Sequence, residues 1–152
     1  MRGTLVCAVT KSEESAGALA LSAELSERLG LRLVLAHVVD GIGGLGNGDG
    51  VESVSMQADR QGAERRLARL AQEHGLAEGA ARRVSVGEPA ALLGQIAAEE
   101  AADLIVVGSS ERGRLRRGLE SRLAQQLETT TPVPVLIAPP RARPLRAPAA
   151  VS

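Results

Sequence analysis

The sequence contains no phenylalanine, tyrosine or tryptophan among its 152 residues, although 44% of the residues are hydrophobic. The core must therefore be built from leucine, valine, isoleucine and alanine. Because no phenylalanine, tyrosine or tryptophan ring is present to stack on a base, single-stranded nucleic acid is a disfavoured partner. The length is typical of one domain that buries a substantial core.

The sequence also has no excess of charge of either sign, and it has a single cysteine. The 18 basic and 18 acidic residues cancel, so no global field draws the chain to DNA or to a membrane surface. Cys7 is the only cysteine, which excludes an internal disulfide, and no zinc-ligand spacing is present. We therefore expect no bound metal. The sequence also has no apolar run of about 20 residues and no signal peptide, so we expect a cytoplasmic protein.

Five short apolar runs predict β-strands. Thr4–Val9 is almost continuously apolar, as in a strand that is buried on both faces of a parallel sheet. Pro132 and Pro134 cannot donate hydrogen bonds to a neighbour, so the fifth run belongs at the edge or the start of a sheet. The other runs are Leu31–Val39, Arg82–Val86, Asp103–Val107 and Thr131–Ala138.

Helical patterns separate these strands. They begin at Ser12, near Val54, at Glu88-Pro89 and in the arginine-rich segment Arg114–Gln126. Alternating strands and helices indicate right-handed βαβ units around a parallel sheet. We expect an α/β fold: an open, doubly wound five-stranded parallel sheet, order 3-2-1-4-5, with helices on both faces. One domain should span residues 1–139, followed by a disordered Pro/Ala/Arg tail over residues 140–152.

A small-molecule site is predicted where the order of this sheet reverses, beyond the carboxyl ends of the first and fourth strands. Gly108, Ser109 and Ser110 form a turn between the fourth strand and a helical pattern, and backbone N–H groups in such a turn can face an anion. Thr10 directly follows the first strand, and Val39 ends the second.

Other sequence features favour structural interpretations. Gly41–Gly46 has the spacing of a dinucleotide-binding loop, but Asn47–Gly50 follows it instead of a helix, so we interpret the segment as a flexible loop. His37 lies within an apolar strand and is expected to be a packed or hydrogen-bonded structural residue. No nucleophile with a base, and no pair of catalytic carboxylates, is apparent, so we do not expect an enzyme.

Several segments, in this order and spacing, resemble the universal stress protein family over nearly the whole chain up to Pro139. They include the first strand with its following acidic turn, the end of the second strand, and the start of the third helix. The quoted segments are Leu5–Val9 with Ser12–Ser15, Leu35–Asp40, Gly87–Pro89, Ala102–Ser109 and Pro132–Ile137.

The resemblance implies a binding pattern for ATP or AMP. In the nucleotide-binding members a glycine is followed after two residues by a second glycine, after nine more by a third, and then by serine or threonine. An aspartate also follows the first strand. Here Gly108 matches the first glycine, while Glu111, Ser121, Arg122 and Thr10 occupy the other four positions.

These departures predict an altered site. Glu111 places a negative side chain where a glycine would let the phosphates approach the backbone. Arg112 and Arg122 offer compensation, because guanidinium groups pair with phosphate oxygens. We therefore expect a non-enzymatic stress-response or signalling protein whose nucleotide site is degenerate, weak or altered, with no certain cofactor.

Two alternatives remain open. The first is a functional ATP-binding module of the same family. The second is a protein that binds an acidic partner or nucleic acid through the arginines at positions 112, 114, 116 and 117. The resemblance also implies a homodimer through the edge strand Val133–Ala138, and the edge character of that strand agrees.

Overall fold

The computed structural model describes residues 3–9, 14–40, 54–76, 79–108 and 123–139. Within these ranges lie five strands, three helices and a further helical segment over residues 123–130. The strands are β1 (Thr4–Val9), β2 (Arg32–Asp40), β3 (Ala80–Gly87), β4 (Leu104–Gly108) and β5 (Val135–Ala138). The helices are α1 (Glu14–Leu29), α2 (Val54–Glu73) and α3 (Pro89–Glu99).

The five strands form one sheet in the order β3-β2-β1-β4-β5, and every pairing is parallel. This arrangement confirms the predicted α/β fold and its strand order. The central strand β1 is buried along its whole length, as its continuous apolar sequence predicted.

Helices cover both faces of the sheet, as predicted. Alternate residues of β1 point to opposite faces. Leu5, Cys7 and Val9 pack with residues of α1 and α2, including Leu19 and Leu67. Val6 and Ala8 pack on the other face against α3 and Leu127 of the 123–130 helix. With no aromatic residue available, both layers are built from aliphatic side chains, as the composition required.

The start of the fifth strand was predicted wrongly. The strand begins at Val135, not at Thr131 or Val133. The Thr131 N–H still donates to Leu127 O at the end of the preceding helix, and its hydroxyl accepts from Val133 N–H. Pro134 contributes as an acceptor only, through a 2.9 Å hydrogen bond from Ile105 N–H. Because Pro132 and Pro134 have no N–H groups to donate, strand pairing begins only at Val135.

Other element boundaries moved by one or two residues. β2 begins at Arg32 instead of Leu31 and extends to Asp40, and β3 extends beyond the predicted Arg82–Val86 at both ends. β4 begins at Leu104 because Asp103 has another role at that edge of the sheet. Ser12, the Gly-rich loop, most of the arginine-rich segment and residues 140–152 lie outside the described residues. The disordered tail and the domain boundary at 139 stay predictions.

Asp103 ties the beginnings of β1 and β4 together. Its backbone N–H donates to Thr4 O at 2.7 Å, and its carboxylate accepts from Thr4 N–H at 2.9 Å. Gly3 fits this corner because a Cβ there would lie 2.8 Å from Leu31 Cδ2 and 3.0 Å from Asp103 Oδ2. Asp103 is therefore a structural residue at the amino edge of the sheet, opposite the predicted ligand site.

A charged network attaches the end of α3 to β2 and β3. Arg83 donates to Glu99 at 2.5 Å and to Glu100 at 2.9 Å, and Arg32 donates to the second oxygen of Glu100 at 2.7 Å. Hydrogen bonds from Arg32 and Arg83 lower the pKa of the Glu100 carboxyl below its ordinary value. The network therefore links two neighbouring strands to the helix that covers them.

Replacing Arg83 by glutamine should reduce stability modestly, by roughly 0.5–1 kcal/mol for the Arg83–Glu100 pair. Because folding lowers the pKa of Glu100, the pair stabilises the fold above the ordinary glutamate pKa, and this contribution is lost as the pH falls through the folded-state pKa. Urea unfolding of wild type and R83Q should therefore differ at neutral pH and converge in acid. R82Q is the control, since Arg82 forms no ion pair within the described part of the chain. An equal loss in R82Q, or a difference independent of pH, would contradict the assignment.

No helix in the described ranges is both long and apolar enough to cross a membrane.

Candidate functional site

The carboxyl ends of β1 and β4 meet at the centre of the sheet. Their parallel register pairs Leu5 with Leu104 and Cys7 with Val106, and each strand continues two residues further, to Val9 and to Gly108. The connection after β1 leads into α1 on one face of the sheet, whereas α3 precedes β4 on the other face. This is the reversal of winding at which open parallel sheets form a ligand crevice.

Two of the nine predicted site residues lie within the described chain. Val39 is half-buried near the end of β2, and Gly108 ends β4. Both lie near the carboxyl ends of the strands that flank β1, so they share the carboxyl edge of the sheet, and Gly108 borders the reversal between β1 and β4. The remaining seven lie outside the described residues: Thr10, Ser109, Ser110, Glu111, Arg112, Ser121 and Arg122.

His37 holds the end of β1 from the neighbouring strand. Its side chain is buried, and its Nδ1 lies 2.7 Å from Val9 O. A carbonyl oxygen can only accept, so Nδ1 carries the proton of this hydrogen bond. The interaction fixes the last carbonyl of β1 one residue before Thr10. The expectation of a packed, hydrogen-bonded histidine is therefore confirmed.

The N-terminus of α3 is closed by its own side chain. Pro89 occupies the first turn, as predicted, and the Glu88 carboxylate accepts from Ala90 N–H at 3.3 Å and from Ala91 N–H at 2.8 Å. A carboxylate in this position satisfies free N–H groups and complements the helix dipole. The sequence interpretation noted that Glu88 opens the helix but missed the cap, although an acidic residue directly before a helix-initiating proline is a recognisable signal. Donors capped in this way are not available to a phosphate.

Cys7 is a buried thiol of low reactivity. It lies in the middle of β1 with no exposed surface, and burial raises the pKa of its thiol to about 12, with the Ser22 hydroxyl lowering it by less. At neutral pH the thiol is therefore almost entirely protonated, and the thiolate is the form that reacts. No cluster of three or more His, Cys, Asp or Glu side chains in the described ranges could hold a metal ion.

The native protein should therefore resist a thiol reagent. With excess dithionitrobenzoate at neutral pH, we expect almost no thionitrobenzoate release from folded protein and one equivalent after addition of guanidinium chloride. Since one thiol is present, the stoichiometry is unambiguous. Rapid labelling of the folded state would contradict the burial of Cys7.

The sequence profile of the universal stress protein family matches residues 1–139. Among solved structures, a protein of this family from Burkholderia pseudomallei is 25% identical, with 90% of this chain and 96% of that chain covered and a TM-score of 0.62. A universal stress protein in complex with cAMP is 23% identical over 92% of this chain and 98% of that chain, with a TM-score of 0.63.

A third solved structure shares the fold at lower identity. It is the universal stress protein from Archaeoglobus fulgidus in complex with dAMP, 19% identical over 90% of this chain and 97% of that chain, with a TM-score of 0.64. A comparison with curated proteins gave no significant match. The profile match extends over most of the chain, and the strand order agrees with the expected fold. The chain therefore belongs to the universal stress protein family.

Proposed function

We propose that this protein is a non-enzymatic stress-response or signalling module that binds an adenine nucleotide weakly at the carboxyl edge of its sheet. The observation that carries the proposal is the junction of the neighbouring strands β1 and β4, where the winding reverses and Gly108 ends β4. A glycine at that point leaves room for a ligand to approach the backbone.

The nucleotide class is supported by relatives. Two universal stress proteins with this fold are described as complexes with cAMP and with dAMP. Both ligands combine an adenine with one phosphate group. An adenosine monophosphate is therefore the first ligand to test, and ATP is the second.

Weak binding is supported by the residues that follow Gly108. Glu111 and Ser121 stand where two glycines of the family pattern belong, and Thr10 stands where an aspartate belongs. The first change adds negative charge near the expected phosphates, and the last removes a carboxylate acceptor for ribose or adenine hydroxyl and amino groups. Arg122 replaces the final serine or threonine and offers a guanidinium in its place.

Calorimetric titration of AMP, cAMP and ATP tests the proposal, together with a phosphate-release assay. We expect weak binding, with dissociation constants of roughly 0.1 mM or above, which means a binding free energy no more favourable than about −5.5 kcal/mol. We also expect that phosphate is released no faster than in the absence of the protein. Tight ATP binding with turnover would instead support the functional ATP-binding alternative. No binding of any of the three nucleotides at millimolar concentration would contradict a nucleotide function.

We also propose that the protein is a homodimer that pairs through β5. Leu136 is 38% exposed and Ile137 is 46% exposed, and both lie on an edge strand of the sheet. Two adjacent apolar side chains on an open edge favour pairing with a second copy across a two-fold axis.

A further inference from the structure

A groove lies beside β3, the edge strand on the opposite side of the sheet from β5. The groove lies between α2 and β3, has a volume of about 570 Å³ and is open to solvent. Leu67, Ala68 and Val84 supply its apolar part. On the helix, its lining residues recur at the spacing of one face, and on the strand they alternate by two. The polar lining residues are Gln61, Glu64, Arg65 and Arg82.

Two arginines in the groove have no acidic partner among the residues that the structure describes. Arg65 and Arg82 are exposed and form no ion pair with any residue in the described ranges. Arg83, the next residue of β3, points to the other face and pairs with both Glu99 and Glu100. Among the described lining residues, two guanidinium groups therefore face one carboxylate, that of Glu64, which gives these residues a net positive charge.

β3 itself is an edge strand that is suited to pairing. It is eight residues long, contains no proline, and in the described chain pairs with β2 alone. By contrast, β5 at the other edge is four residues long and follows two prolines. Long edge strands without proline or bulges are templates for an added strand, because half of their backbone N–H and C=O groups point away from the sheet.

We propose that an acidic, extended segment of a partner protein docks at this edge. Its backbone adds to β3, and carboxylates on alternate residues pair with Arg65 and Arg82 in the groove. The aliphatic stems of the same side chains lie over Ala68 and Val84, because alternate side chains of a strand share one face. The surface is distinct from the carboxyl edge at Gly108, so this binding does not depend on the nucleotide proposal.

The probe is a fluorescein-labelled peptide in which valine and glutamate alternate, and its counterpart carries lysine in place of glutamate. Anisotropy at low ionic strength should show binding of the acidic peptide only. The double variant R65A/R82A should weaken that binding about tenfold, because it removes two exposed ion pairs with the peptide. Glu64→Gln should strengthen it roughly threefold, because a repelling carboxylate is removed.

The control is the double variant R60A/R69A. It removes the same charge from exposed positions of α2 that do not line the groove. Hydrogen exchange should show new protection within residues 80–87 when the acidic peptide is bound. The proposal is overturned by absent binding, by an equal loss in the control variant, by unchanged binding in R65A/R82A, or by protection at residues 135–138 instead. All substituted residues are exposed, and circular dichroism verifies that each variant is folded.

Discussion

Replacing Glu111 by glycine should strengthen AMP and ATP binding, by up to roughly a thousandfold. A carboxylate about 4 Å from a phosphate oxygen costs roughly 4 kcal/mol at an effective dielectric near 20, which corresponds to about three orders of magnitude in affinity. Glycine at this position also restores the second glycine of the family pattern and lets the backbone approach the phosphates. Calorimetric titration of each nucleotide into wild type and E111G measures the gain.

Two further variants separate charge from backbone freedom. Glu111→Gln removes the charge but keeps the side chain, so most of an electrostatic gain should appear in it already. Glu73→Gln changes the net charge equally at the exposed end of α2, which lies at the amino edge of the sheet, and should leave affinity unchanged. If E111G does not exceed wild type, Glu111 is not the cause of weak binding, and Thr10→Asp becomes the variant to measure.

Replacing Ile137 by aspartate should convert a homodimer into a monomer. A charge at the centre of an apolar strand-to-strand interface must be desolvated without a partner, and two-fold symmetry places two such charges in one interface. Ile137 suits this test because its side chain is 46% exposed in one chain, so the substitution spares the core. Val135 does not, since it packs against the α3 side of the core. Sedimentation velocity at several concentrations measures the change.

Leu29→Asp is the matched control for that experiment. Leu29 is 63% exposed at the end of α1, so the variant adds the same charge at an exposed apolar position away from β5. It should sediment as wild type. A wild-type monomer, or a dimer that persists in I137D, would exclude the β5 interface.

The sheet was predictable because its strands are buried on both faces. A strand such as β1 must be apolar along its whole length. The sequence Thr4–Val9 shows this pattern by itself, without any knowledge of the neighbouring strands. Strand order followed from the alternation of elements and the resemblance to a family. The position of Val39 and Gly108 at one edge then follows from topology.

Contacts between residues distant in sequence could not be predicted. The hydrogen bond from Thr4 N–H to Asp103 joins residues 99 positions apart, and the network of Arg32 and Arg83 with Glu100 depends on how α3 lies across β2 and β3. A local sequence pattern can also be overridden by a neighbouring element. The apolar run from Thr131 suggested an early strand, but the preceding helix retained its hydrogen bond to Thr131 N–H.

The absence of aromatic residues permits the most direct test of a weakened nucleotide site. Without tryptophan, tyrosine or phenylalanine, the polypeptide contributes almost nothing in the ultraviolet band where adenine absorbs. Protein purified without added nucleotide and then desalted should show no adenine absorption maximum, and chromatography of its acid extract should contain no nucleotide. A maximum in that band, with close to one equivalent of adenine nucleotide per chain, would contradict the account.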